Sequence, residues 1–209
     1  MEHSDFKTEP VPGLPEKLPE GEHILWQGAP KPWQLATEAM WLNWVIGYFA
    51  VLCLWRVVLS LQIMPWDAAL LTGLPPLVLG GLATVVIYGM ARLQARATLY
   101  TVTNQRVVMR IGAALTLSIN LPFNRIAAAD LLARSNGTGT IVFESISETR
   151  ISYAMLWPHV QPWQMRQPKP ALRCIPEAHH VAGLLAEAVD ATIATPQVER
   201  NVPQEGALA

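Results

Sequence analysis

Residues that do redox, metal or covalent chemistry are scarce in this chain. Two cysteines, Cys53 and Cys174, lie far apart in 209 residues, so a disulfide framework is excluded and a reducing cytoplasm fits. Of five histidines, His179 and His180 are adjacent, and on a helix they point about 100° apart rather than sharing a face as an i, i+4 metal pair does. The glycines at 137 and 139 have no Walker lysine after them, and Ser145, Ser147 and Glu148 lack a nucleophile elbow. We therefore expect no catalytic residue, no cofactor and no metal site, and do not expect an enzyme. A formal net charge of −1 with no concentrated basic stripe also speaks against nucleic acid as a partner.

Charge is absent altogether from residues 68–91, a run that as a helix is roughly 36 Å long, enough to cross a bilayer. A second apolar run, residues 41–61, is interrupted only by Arg56. The pair reads as a transmembrane hairpin joined by residues 62–67. Pro32, Trp33, Thr37, Met40, Trp41 and Trp44 follow helical spacing and open it as an interfacial segment, and Trp66 marks the opposite interface. Arg92, Arg96, Arg106 and Arg110 follow the second span, Lys31 precedes the first, and the connecting turn has neither Lys nor Arg. The positive-inside rule then puts both termini in the cytoplasm of a multi-pass inner-membrane protein. The Met1 end is acidic and polar, unlike a signal peptide.

Within the hairpin, Arg56 either snorkels to the far headgroups or meets a partner helix or Asp67. Gly80, Gly81 and Thr84 let another helix approach closely, either the other half of the hairpin or a partner, including a second copy. The four arginines after the span either set topology and solubility or contact anionic headgroups. Residues 157–170, with Trp157, Trp163, Met165 and four prolines, form an apolar loop that packs on its own domain, on the membrane or on a partner.

Beyond the basic link the period changes. Leu115, Leu117, Ile119 and Leu121 alternate with polar residues as a half-buried strand does. Residues 98–103 and 106–111 form a hairpin about Asn104 and Gln105; residues 140–144, 151–156 and 171–175 add further strands, with turn material at 135–139. After Pro176, Val181, Leu184, Leu185 and Ala188 line one face of a closing helix. Four segments result: a flexible Pro/Glu-rich stretch at 1–31, the interfacial helix and hairpin at 32–92, a cytoplasmic domain at 93–193 and a disordered tail at 194–209.

The run Tyr100-Thr101-Val102-Thr103-Asn104-Gln105-Arg106, then Gly112, Leu121-Pro122, Ile126 and Ile175-Pro176-Glu177, resembles the bacterial pleckstrin-homology-like (PH-like) domain found behind membrane hairpins. That likeness implies an α+β membrane protein whose cytoplasmic β-barrel or sandwich is capped by one C-terminal helix. Residues 16–28, with Gly47-Tyr48-Phe49-Ala50 and Leu54-Trp55-Arg56, resemble the PuhB family of photosynthetic complex assembly proteins from purple phototrophic bacteria. This second likeness implies a non-enzymatic assembly factor for the reaction centre and light-harvesting 1 complex in the cytoplasmic or intracytoplasmic membrane. Its partners would be reaction-centre subunits, H first and then L and M, with light-harvesting 1 polypeptides, lipid or a second copy. The PH-like fold alone fits equally a general lipid-binding or envelope-stress module.

Overall fold

A computed structural model describes residues 13–14, 16–112, 116–146 and 152–194. Helix α1, Pro32–Glu38, begins on a proline, whose missing N–H costs nothing in a first turn. Helix α2, Leu42–Ser60, coincides closely with the first apolar run. The second run is divided: α3, Trp66–Leu71, stops at Thr72 and Gly73, and α4, Leu74–Ala97, begins again with Pro75 and Pro76 in its first turn. Two successive prolines cannot accept a place deeper in a helix, so the break falls just ahead of them. Gly73 makes the break compact, because a Cβ there would sit 2.9 Å from both Cys53 Sγ and Val57 Cγ2 of α2.

Helices α2 and α4 pack antiparallel, with Gly80 against Phe49, and both are long and apolar enough to cross a membrane. Only 6% of the apolar window of α2 is buried inside the fold, and 17% of that of α3–α4. Apolar surface of this extent facing outward is not the pattern of core helices in a water-soluble protein. Helix α4 runs on past Arg92 and Arg96, and only Thr98 separates it from the first sheet.

That sheet is an antiparallel meander of β1 (Ile24–Gly28), β2 (Leu99–Thr103), β3 (Arg106–Ile111) and β4 (Leu117–Pro122). A second contains β5 (Ile126–Ala133), β6 (Thr138–Ser145) and β7 (Ala171–Pro176). The two face each other across a core of Tyr100, Val102, Met109, Ile141, Phe143 and Leu172, which α6, Ala178–Ala194, covers with Val181, Leu185 and Ala188. The strands do not close into a barrel; the sandwich form of the expectation holds.

Three other expectations need correction. Residues 24–28 lie inside the stretch expected to be flexible, yet they are the edge strand β1, hydrogen-bonded to β2, with Leu14 and Glu22 buried beside it. Residues 151–156 are not a strand: Tyr153–Leu156 is a short helix, α5, that turns only Leu156 fully inward before Pro158. Leu184 is partly exposed rather than core. The expected tail lies, from 195 onward, outside the described residues, as does the start of the alternating run at Leu115.

Candidate functional site: the junction of helices and domain

Where α4 enters the sheet, four hydrogen bonds form one directed chain through the buried interior. The Arg173 N–H donates to Tyr100 Oη at 3.4 Å, and Tyr100 Oη lies 2.6 Å from His159 Nδ1. His159 Nε2 lies 3.1 Å from Thr98 Oγ1, which donates to the Gln94 carbonyl at 2.8 Å. Since Thr98 spends its proton on Gln94, the imidazole must donate from Nε2, and Nδ1 is left to accept from Tyr100. Only a neutral imidazole with its proton on Nε2 satisfies every member.

The surroundings hold that state. His159 and Tyr100 are both fully buried. Loss of hydration, helped by the nearby Arg173 cation, lowers the His159 pKa to about 3. Burial likewise raises the Tyr100 hydroxyl well above its usual range and pushes the Cys174 thiol up to about 12, with the Glu38 carboxylate adding to the latter. All three groups stay neutral near pH 7 and shielded from solvent, so the arrangement ties elements together and presents no poised nucleophile or base.

A second set of contacts fastens α1 to the same place. Arg173, 6% exposed on β7, donates to the Pro158 carbonyl and to the Glu38 carbonyl, each at 3.3 Å. The Glu38 carboxylate accepts from Arg134 Nε at 2.8 Å and from the Cys174 thiol at 3.5 Å, and Lys31 N–H donates to the Cys174 carbonyl at 2.9 Å. Leu35 of α1 and Ala39 just after it, Ala95 of α4 and Cys174 of β7 fill the apolar space beneath. Helix α1 is therefore a wedge between hairpin and domain, with Trp33 on its outer side.

The ten residues singled out in the sequence separate clearly. Gly80 is consumed inside the hairpin, since a Cβ there would sit 2.7 Å from Phe49 Cβ, while Gly81 faces open space. Thr84 Oγ1 donates to the Gly80 carbonyl at 2.8 Å. Arg56 is exposed on α2, and among the described residues it makes no ion pair with Asp67. Arg92 and Arg96 are exposed on the last turns of α4. Arg106 and Arg110 are not available to headgroups. Arg106 grips the buried Glu22 carboxylate twice, at 2.7 and 2.9 Å. Arg110, 7% exposed, lies on the side of β3 opposite the core, where α4 approaches. Trp157 is exposed at 37%; Trp163 is 75% exposed and meets Trp41 edge-to-face with ring centroids 5.9 Å apart.

Sequence reasoning did not single out Tyr100, His159 or Arg173 for this role. A histidine set in an apolar loop and an arginine in the apolar run Ala171–Pro176 were the available signals. At the other end of β2, an open cleft of about 660 Å³ lies between the Asn104–Gln105 turn and α6, lined by His23, Phe123, Leu184 and Glu187. Among the described residues no group of three or more His, Cys, Asp or Glu comes together as metal ligands do.

Comparison with known proteins agrees with this architecture. A protein of Rhodobacter capsulatus described as an uncharacterized 23.7 kDa protein in the puhA 5' region is 44% identical over 215 residues, covering 100% of this chain and 99% of that protein. No solved structure matches the chain. Residues 39–189, which take in the hairpin and strands β2–β7 but not α1 or the edge strand β1, match the bacterial PH domain family, and the chain belongs to that family.

Proposed function

We propose that this protein is a non-enzymatic assembly factor for the photosynthetic reaction centre and its light-harvesting 1 complex, anchored by α2 and α3–α4 in the bacterial inner membrane with both termini cytoplasmic. The observation that carries the reading is the full-length relative at 44% identity, named for its position beside puhA, a location that fits a photosynthesis-related role. The outward-facing apolar helices supply the anchor, and the lack of basic residues in the turn between them supports the orientation. The PH-like sandwich supplies a compact surface for an extramembrane subunit, with H the first candidate. The Gly81 side of α4 offers the hairpin's closest approach to L, M, a light-harvesting polypeptide or a second copy.

Deletion of the gene is the direct test. Loss of assembled reaction centres with normal growth in the absence of light is the expected result. A general envelope defect in light and dark alike would refute the assembly role and favour a lipid-binding or stress module. Purification in mild detergent should bring reaction-centre polypeptides with the protein.

A further inference from the structure

Resting on the reading that α2 crosses the bilayer, we propose that the loop at residues 157–170 is a separate membrane contact, seating Trp163 and Met165 among the lipid headgroups so that the PH-like domain lies against the bilayer.

Depth is fixed by geometry. Helix α2 has 19 residues, which at about 1.5 Å each gives roughly 28 Å, close to the thickness of a hydrocarbon core. Trp41, immediately before it, therefore sits at the boundary layer that tryptophan favours. The Trp163 ring centroid is 5.9 Å from that of Trp41, so whatever the tilt of the helix, Trp163 lies within that distance of the same depth. Trp44, 72% exposed, and Met165, 68% exposed, extend the apolar surface to either side.

The loop is held there rather than free to swing. Its base is closed by Gln161 N–H to the Lys169 carbonyl at 2.9 Å, by the Val160–Pro170 bridge, and by Ala171 N–H to the His159 carbonyl at 3.0 Å. His159 itself is locked in the junction. At the tip Trp163 follows Pro162 with φ +68°, the place in a proline turn that glycine ordinarily takes. Its neighbour Trp41 has φ +59°. Left-handed backbone is strained at a tryptophan, and a ring three-quarters exposed to water recovers little of that strain by packing. Insertion into headgroups recovers it. Charge agrees, because the exposed part of the loop carries Arg166 and no acid, which suits anionic lipid, while Lys169 at the loop's base is paired with Glu144 at 3.0 Å.

The test places a fluorophore at Met165→Cys, at Val51→Cys in mid-α2 and at Glu187→Cys on the far cleft, each in the full chain on a Cys53→Ala background. The proteins are reconstituted in phosphatidylethanolamine–phosphatidylglycerol vesicles carrying nitroxides on the headgroup or deep in the acyl chain. Residue 165 should be quenched mainly by the headgroup nitroxide, residue 51 mainly by the deep one, and residue 187 by neither. If 51 is quenched but 165 behaves like 187, the loop contact is overturned while the span stands. If 51 escapes the deep nitroxide, span and loop contact fall together. Shielding of 165 only in the presence of copurified protein would overturn lipid as the occupant. In a second variant, Trp163→Gly, headgroup quenching at 165 should drop to roughly half while thermal stability holds or rises, because glycine relieves the turn. Undiminished quenching would remove Trp163 as the seat.

Discussion

Acidification should destabilise the PH-like domain through His159, and the size of the effect follows from its surroundings. Folded, the imidazole has a pKa of about 3; unfolded, it returns to 6.5. Between those values the unfolded chain binds a proton that the folded chain refuses, so stability falls as pH falls. The contribution is whole above pH 6.5, is lost at up to about 1.4 kcal/mol per pH unit below it, and levels off near pH 3. From pH 7.5 to pH 5 the loss from this one residue is about 2 kcal/mol. For a domain of this size that corresponds to a fall in Tm of about 8–16 °C.

Thermal unfolding of the full chain in detergent, followed by circular dichroism at both pH values, measures it. The control is His159→Gln, whose amide donates on one side and accepts on the other but does not titrate. The variant should start less stable at pH 7.5 and lose clearly less on acidification. If wild type and variant lose stability in parallel, His159 is not the group that titrates, and the assignment of a neutral imidazole at the centre of the chain is wrong.

Other consequences are equally specific. Gly80→Leu should part α2 from α4, because its Cβ alone meets Phe49 Cβ at 2.7 Å, whereas Gly81→Leu should leave the hairpin intact and abolish copurification if that side docks a partner; protease resistance of the hairpin and pull-down separate the two. Glu22→Ala should cost about 2 kcal/mol by stranding the Arg106 guanidinium, and should expose residues 16–28 to limited proteolysis as β1 loosens. Gly139→Ala should cost about 1–3 kcal/mol, since the added methyl would stand 2.6 Å from Ala178 Cβ and 3.0 Å from the Leu132 carbonyl, both on regular elements. Urea midpoints measure both losses.

What could be read in advance depended on whether a residue's neighbours in sequence are also its neighbours in space. The apolar helix α2 and the hairpin of β2 and β3 were legible because a sustained apolar run and the Asn104–Gln105 turn are local signals. Strand β5 was not, because Ile126–Ala133 is rich in alanine and leucine and is extended only through its ladder with β6. Strand β1 hid in a proline- and glutamate-rich stretch, and what holds Glu22 there is an arginine 84 residues away. The same distance misled the reading of the arginines: the sequence presents four after the span, and only the fold shows that Arg106 is paired and Arg110 buried. The junction was the least legible part, because residues 98, 100, 159 and 173 converge from separate elements.

That convergence bears on how the proposed anchored scaffold would work. Helix α4 passes into β2 through the single residue Thr98, α1 is wedged against β7, and the hydrogen-bonded chain crosses between them. No flexible linker separates hairpin from sandwich, so the orientation of the domain is set as soon as the hairpin is placed. A flexible tether would spread the domain over many orientations and dilute its second contact; a rigid junction keeps the effective concentration of that contact high, provided the partner's geometry matches. Two individually weak holds then suffice, and neither needs to be tight enough to trap a finished complex. If the proposed partners engage both surfaces, loosening the buried His159–Tyr100 pair would leave those surfaces intact and lose the advantage of having them on one body.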